Sequence, residues 1–198
     1  PVAKSAPPRG TELSEDDAHR VLFALTLGTS ESRHLRGLAA DGHVGIPLSS
    51  DATTGVLLVS EEGTLSIVPS RSGASVPPKG DAVELPLLLD DGEPVAHVAT
   101  HGRAPVALGI TQTGRVYIAR GAAVADVASV LKAAGCSHAV LLDRGAGEHG
   151  GMFRAGTPTP PRSRYEASTL YAMGKPLLPR GFRFEPTNPV EPPAPKKK

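Results

Sequence analysis

Val106-Ala-Leu-Gly-Ile-Thr111, Gln112-Thr113-Gly114 and Arg115-Val-Tyr-Ile-Ala119, followed after a helical stretch by Ala139-Val-Leu-Leu142-Asp143, decide the fold reading. The first three pieces read as strand, glycine-bearing turn and strand, hence a hairpin. Between Val124 and Ala134, Val124, Val127, Ala128 and Leu131 share one helical face, and Gly135 is the stop signal. Ala139 to Leu142 is a continuous apolar run that has to be buried on both sides. Hairpin, helix and buried strand in one chain of domain size predict an α+β domain, a mixed sheet built from hairpins with helices packed against it.

Upstream, Gly55-Val-Leu-Leu-Val-Ser60 and Thr64-Leu-Ser-Ile-Val68 predict a second hairpin around Glu62-Gly63. Ser70 to Gly80, with Pro77-Pro78, reads as a polar loop. Ser14 with Asp17 fits an N-terminal capping pattern, and Ala18, Val21, Leu22 and Leu25 form an apolar stripe, so a helix over 14–27 is expected, ended by Gly28. Ser168 to Met173 is a further candidate strand. Residues 1–12 and 185–198 are rich in proline and poor in apolar surface, which predicts flexible linkers flanking a domain over 13–184. Linkers at both ends fit a domain of a longer protein, and the tails are candidate contacts for protein partners.

Composition bounds the chemistry. Hydrophobic residues are 39% of the 198, yet aromatics are 4% and Trp is absent, so the core must be aliphatic. The net charge of +1 supplies no field for nucleic acid, and Lys196 to Lys198 read as a solvated tail end. No apolar run approaches the ~18 residues of a membrane span. Cys136 is the single cysteine, which excludes an internal disulfide. It follows a helix C-terminus, where the dipole disfavours a thiolate, so a buried, inert thiol is expected.

The candidate site lies after the buried strand. Asp143-Arg-Gly-Ala-Gly-Glu-His-Gly-Gly151 places a carboxylate at a strand end and then a turn with four glycines. Glycines let a ligand approach the backbone, and successive N–H groups in such a turn form an anion-binding nest. Asp143 and Glu148 are the candidate catalytic carboxylates. Arg144, His149, Gly145 and Gly147 are the candidate substrate contacts, joined by Arg103 from the loop Thr100-His-Gly-Arg103. The competing reading is a surface turn whose Asp143 caps local N–H groups and whose Arg103 is solvated. His97 and His101 are four apart in a strand-to-loop stretch, where that spacing does not put both imidazoles on one face. No metal and no cofactor are expected. A Gly-x-Ser-x-Gly elbow, a phosphate loop and a paired-cysteine motif are all missing from the sequence.

The order of these motifs resembles the phosphodiester glycosidase domain family, which includes the lysosomal uncovering enzyme and many bacterial envelope proteins. Arg103-Ala-Pro-Val-Ala-Leu-Gly-Ile-Thr-Gln-Thr-Gly-Arg-Val-Tyr, the helix end Leu131-Lys-Ala-Ala-Gly135 and Ala139-Val-Leu-Leu-Asp143 carry the likeness. Thr53-Thr-Gly-Val-Leu-Leu-Val, Gly63-Thr-Leu-Ser-Ile and Pro86-Leu-Leu-Leu-Asp-Asp-Gly92 follow the family's order, so the likeness covers about Asp17 to Phe153. The resemblance implies a hydrolase acting on a sugar–phosphate diester in the bacterial cell envelope or periplasm, with Asp143 as the strand-end carboxylate. The chain departs from the family pattern in three places. Leu25-Thr-Leu-Gly-Thr29 stands where the family has Asn-Gly-Gly-Phe after its first helix. Arg103 is offset from the expected position. Arg144, Ala146 and Glu148 interrupt the glycine run. These departures imply an alternative, a non-catalytic relative that binds glycan or serves as a structural part of a larger assembly. A metal-dependent hydrolase using His97, His101 or His149 is a further, weaker alternative.

Overall fold

The computed structural model describes residues 20–29, 37–96, 104–142, 152–154 and 167–174. Among these, the strands are β1 (Val21–Thr29), β2 (Leu38–Ala40), β3 (His43–Ile46), β4 (Thr54–Val59), β5 (Leu65–Pro69) and β6 (Asp81–Asp90). They continue with β7 (Glu93–Pro94), β8 (Val106–Thr111), β9 (Val116–Arg120), β10 (Cys136–Leu141), β11 (Met152–Arg154) and β12 (Ala167–Met173). The helix α1 (Val124–Ala133) is the only α-helix among the described residues, and Ser70–Ser72 form one 3-10 turn. Every strand pairing found among these residues is antiparallel. The fold is therefore mostly β, and α+β only in a loose sense.

The long strand β6 organises the larger, nine-stranded sheet. Its first half pairs with β4, from Asp81↔Val59 to Pro86↔Thr54, and with β2 on its other edge. Its second half pairs with β10 and β7. Pro86 falls at the change-over. Gly37 O accepts the last bond from β6 on the β2 side, at Glu84 N, and the next bond along runs from Val95 N to Leu88 O. A proline between them removes no ladder bond.

Side chains alternate across this sheet, and both faces are buried. One face carries the main core: Leu57, Ile67, Val83, Leu85, Leu87, Leu108, Ile110 and Val140. Leu25 and Leu27 of β1 belong to the same cluster, so the three-stranded sheet β11-β1-β12 closes over that face. The opposite face is covered in two parts. Val127, Ala128 and Leu131 of α1 pack on Leu88, Ala107, Cys136 and Ala139. Ala74 and Val76 cover Ala39, Val56, Leu58 and Ala82, so the polar loop expected over 70–80 also contributes a lid to the core.

Both expected hairpins form, as β4–β5 and β8–β9, and both belong to the larger sheet together with β10. Helix α1 is where the periodicity placed it, with Asp126 accepting from the Ala123 N–H at 3.2 Å and Gly135 at φ +79° ending it. The candidate strand near the C-terminus is β12.

The helix expected over 14–27 is a correction. Residues 14–19 lie outside the described set, but Val21 to Thr29 form a strand. Val21, Phe23, Leu25 and Leu27 also alternate, a period-two pattern that a 3.6-residue stripe partly shares. Pairing decides between the two. β1 bonds β11 on one side and β12 on the other, with Leu25 opposite both Met152 and Leu170. Two more hairpins were not anticipated, β2–β3 and β6–β7. Each turns on an Asp-Gly pair, Asp41-Gly42 (φ +52°, +75°) and Asp91-Gly92 (φ +49°, +80°). Positive φ at both positions gives the turn whose twist matches antiparallel strands.

Candidate functional site

Asp143, Arg144, Gly145, Gly147, Glu148, His149 and Arg103 lie outside the described residues, as do His97 and His101. The structure describes the strand ends that lead into them. The N–H of Leu142 donates to the carbonyl of Val106 at 2.9 Å, continuing the β8–β10 ladder past Leu141↔Ala107. Leu142 is 3% exposed, and it immediately precedes Asp143. Pro105, two residues after Arg103, is tied by its carbonyl to Gly121 N at 3.2 Å. The stems of the two candidate segments are thus hydrogen-bonded neighbours at one end of a buried sheet, because β8 and β10 run antiparallel. Segment 143–151 also joins the two sheets, from β10 in the larger to β11 in the smaller.

Two polar clusters among the described residues were not singled out in the sequence. Glu84, on β6, is 1% exposed. Its Oε1 accepts from Thr54 Oγ1 at 2.5 Å, from Ser70 Oγ at 3.2 Å and from the Ser49 hydroxyl, and its Oε2 accepts from Ser49 N at 2.9 Å. Burial by itself pushes this carboxyl up, but the hydroxyls of Ser49 and Thr54, the Ser49 N–H and the Ser70 hydroxyl together hold it below its ordinary value. Gly37 permits the approach, since a Cβ there would stand 2.8 Å from Glu84 Oε2 and 2.6 Å from Leu48 Cδ2. A carboxylate sealed from water and accepting four bonds is a pin rather than a catalyst. It fastens the loop before β4, the start of β4 and the 3-10 turn to the central strand. An acidic residue inside an apolar run, Val83-Glu84-Leu85, was the sequence signal for it.

The second cluster is Asp90 with Arg71 and His138. Arg71 pairs with one carboxylate oxygen, and His138 Nε2 stands 3.6 Å from the other. Asp90 and His138 are partly exposed. His138 precedes Leu142 by four strand positions, about 13 Å of chain. This cluster therefore occupies the far end of β10 from the strand end that leads into Asp143. No group of three or more potential metal ligands occurs among the described residues. No described helix is long and apolar enough to cross a membrane.

Burial pushes the Cys136 thiol up, and the residue is a free cysteine packed under α1. Its Sγ would lie 2.8 Å from a Cβ at Gly109, which is why β8 carries glycine there.

The chain was compared with models of known protein families and with curated proteins, and it matches none of them.

Proposed function

We propose that this chain is a phosphodiester glycosidase-like domain of the cell envelope, a hydrolase that cleaves a sugar–phosphate diester at the strand end of β10. The observation that carries the reading is the Leu142–Val106 hydrogen bond, which makes neighbours of the stems leading to Asp143 and Arg103. The order of motifs along the chain supports it as well. Cleavage breaks the bond from the anomeric carbon to the phosphate oxygen. The bonding pair leaves with a phosphate monoester, water adds to the carbon, and its proton passes to a base. Such a leaving group needs little protonation, so the enzyme must mainly hold phosphate charge and stabilise an oxocarbenium-like centre. Asp143 is assigned the positive centre, Arg103 and Arg144 the phosphate, and Glu148 the proton. Gly145 and Gly147 would offer backbone N–H groups, with His149 as a further substrate contact.

One observation favours the second reading, a non-catalytic glycan-binding or structural domain. Leu25 to Thr29 belongs to a paired strand, where the family motif would require a substrate-contacting Asn-Gly-Gly-Phe segment. The deciding assay is hydrolysis of a panel of sugar-1-phosphodiesters by wild type and Asp143→Asn. The hydrolase reading expects wild-type turnover and a loss of orders of magnitude in Asp143→Asn, with the fold retained. Absence of wild-type turnover across the panel leaves the binding reading, and undiminished turnover in the variant removes Asp143 from the site.

A further inference from the structure

Residues 72–79 lie across the face of the larger sheet on which Ala39, Val56, Leu58 and Ala82 are buried. Among the described residues, no backbone hydrogen bond joins this segment to the sheet. Its backbone bonds are short-range, Gly73 N to Ser70 O at 3.2 Å at one end and Gly80 N to Pro77 O at 3.0 Å at the other. Pro77 and Pro78 have no N–H to offer. Contact with the face comes from Ala74 and Val76, which are themselves only half-buried. Half-burying one Val and one Ala favours the shut position by about tenfold, against about 10³-fold or more for the folding of a domain.

Both roots of the segment are fixed. Ser70 is 1% exposed and donates to Glu84, and Arg71 pairs with Asp90, so the first root is tied to β6. At the second root Gly80 is buried where a Cβ would collide with the Val59 carbonyl, and its own carbonyl accepts from Gly42 N at 2.7 Å. Between the roots stand two left-handed residues, Gly73 at φ +73° and Lys79 at φ +53°. A Cβ on Gly73 would meet nothing within 4 Å, so this glycine serves backbone freedom and not close packing. Lysine seldom adopts a positive φ, and release of the segment relieves that conformation. The Lys79–Glu61 pair is exposed on both sides and adds little. Meanwhile β4 keeps β5 and β6 as partners, and β2 keeps β3 and β6, wherever the segment lies.

We infer that residues 72–79 are a strap that swings off this face about Gly73 and Lys79 while both roots and the sheet stay folded. Open, the strap bares an apolar strip running over β2, β6 and β4, so it controls access to that strip. The two prolines restrict the open conformations, which leaves the strap poised to shut again.

The test is thiol labelling of the chain carrying Val56→Cys. Cys136 is the internal reference, because it is 2% exposed and packs under α1 rather than under the strap. The thiol at position 56 is expected to react in buffer about tenfold or more faster than Cys136. Its rate should be nearly flat in low urea, since opening the strap exposes little surface. Val76→Ser in the same background is expected to raise that rate about fivefold, by removing most of what holds the strap shut. Val127→Ala, a cavity beneath α1, weakens the domain without touching the strap, and is expected to speed Cys136 about tenfold while leaving position 56 unchanged. Leu58→Cys is the second reporter on the same face if Val56→Cys fails to fold. Labelling at position 56 that follows global unfolding with its full urea slope overturns the inference. So does an equal response of both thiols to Val127→Ala, or no response of position 56 to Val76→Ser.

Discussion

Ser49 directs both its backbone N–H and its hydroxyl at one carboxylate, that of Glu84, which Thr54 and Ser70 approach from the other strand and the 3-10 turn. Four donors on a single buried side chain tie together segments spanning residues 49 to 84. The consequence is a dependence of stability on acid.

Glu84 is held below its ordinary value in the folded state, so its contribution is fully present above the unfolded value, about 4.3. It disappears as pH falls through the folded value. Glu84→Gln keeps the shape and removes the charge, and should cost about 1–3 kcal/mol at neutral pH. The deficit relative to wild type should shrink on acidification through pH 4. Urea unfolding of both proteins at pH 7 and near pH 3 checks this, and an equal deficit at both would contradict it.

Gly109 and Cys136 form the seam beneath α1. Gly109→Ala brings a methyl within 2.8 Å of Cys136 Sγ and 3.1 Å of Leu131 Cδ2. Overpacking of this kind costs about 1–3 kcal/mol. Adding Cys136→Ala removes the sulfur and should recover part of the loss, giving a favourable coupling in a double-mutant cycle. Strict additivity of the two changes in thermal unfolding would show that they do not meet.

Native Cys136 should react with a thiol reagent only on unfolding. The side chain is packed among Leu88, Leu131 and Ala139, and burial disfavours the thiolate. Labelling kinetics in rising urea should follow the unfolding transition. Fast labelling in buffer would show that α1 opens locally.

On the proposed function, in which Arg103 holds the phosphate, Arg103→Ala should weaken a phosphate-bearing sugar about tenfold or more while leaving a neutral sugar nearly unchanged, because a charge-assisted contact would be lost. Titration calorimetry with both ligands reads the difference. An equal loss for the two would place Arg103 outside phosphate recognition.

Short-range chemistry settled several features from the sequence by itself. Helix α1 needed only its 3.6-residue stripe and Gly135. The β4–β5 and β8–β9 hairpins needed only apolar runs joined by glycine turns, and Asp41-Gly42 and Asp91-Gly92 carried the same information for two more. The aliphatic, two-sided burial of β10 was equally local, as Ala139-Val-Leu-Leu142 shows. Tertiary structure decided the rest. Val21 to Leu27 satisfies helical and strand periods alike, and partners from residues 152–154 and 167–173 made it a strand. Nothing local in Val83-Glu84-Leu85 says which hydroxyls will meet the carboxylate, because Ser49, Thr54 and Ser70 reach it only when β4 and its flanks fold against β6. The candidate site divides the same way. The buried strand before it was legible in Ala139-Val-Leu-Leu142, while Asp143 itself lies outside the described residues. That Val106 and Leu142, the stems of the two candidate segments, are hydrogen-bonded neighbours follows from the β8–β10 register, a long-range pattern that no window of sequence contains.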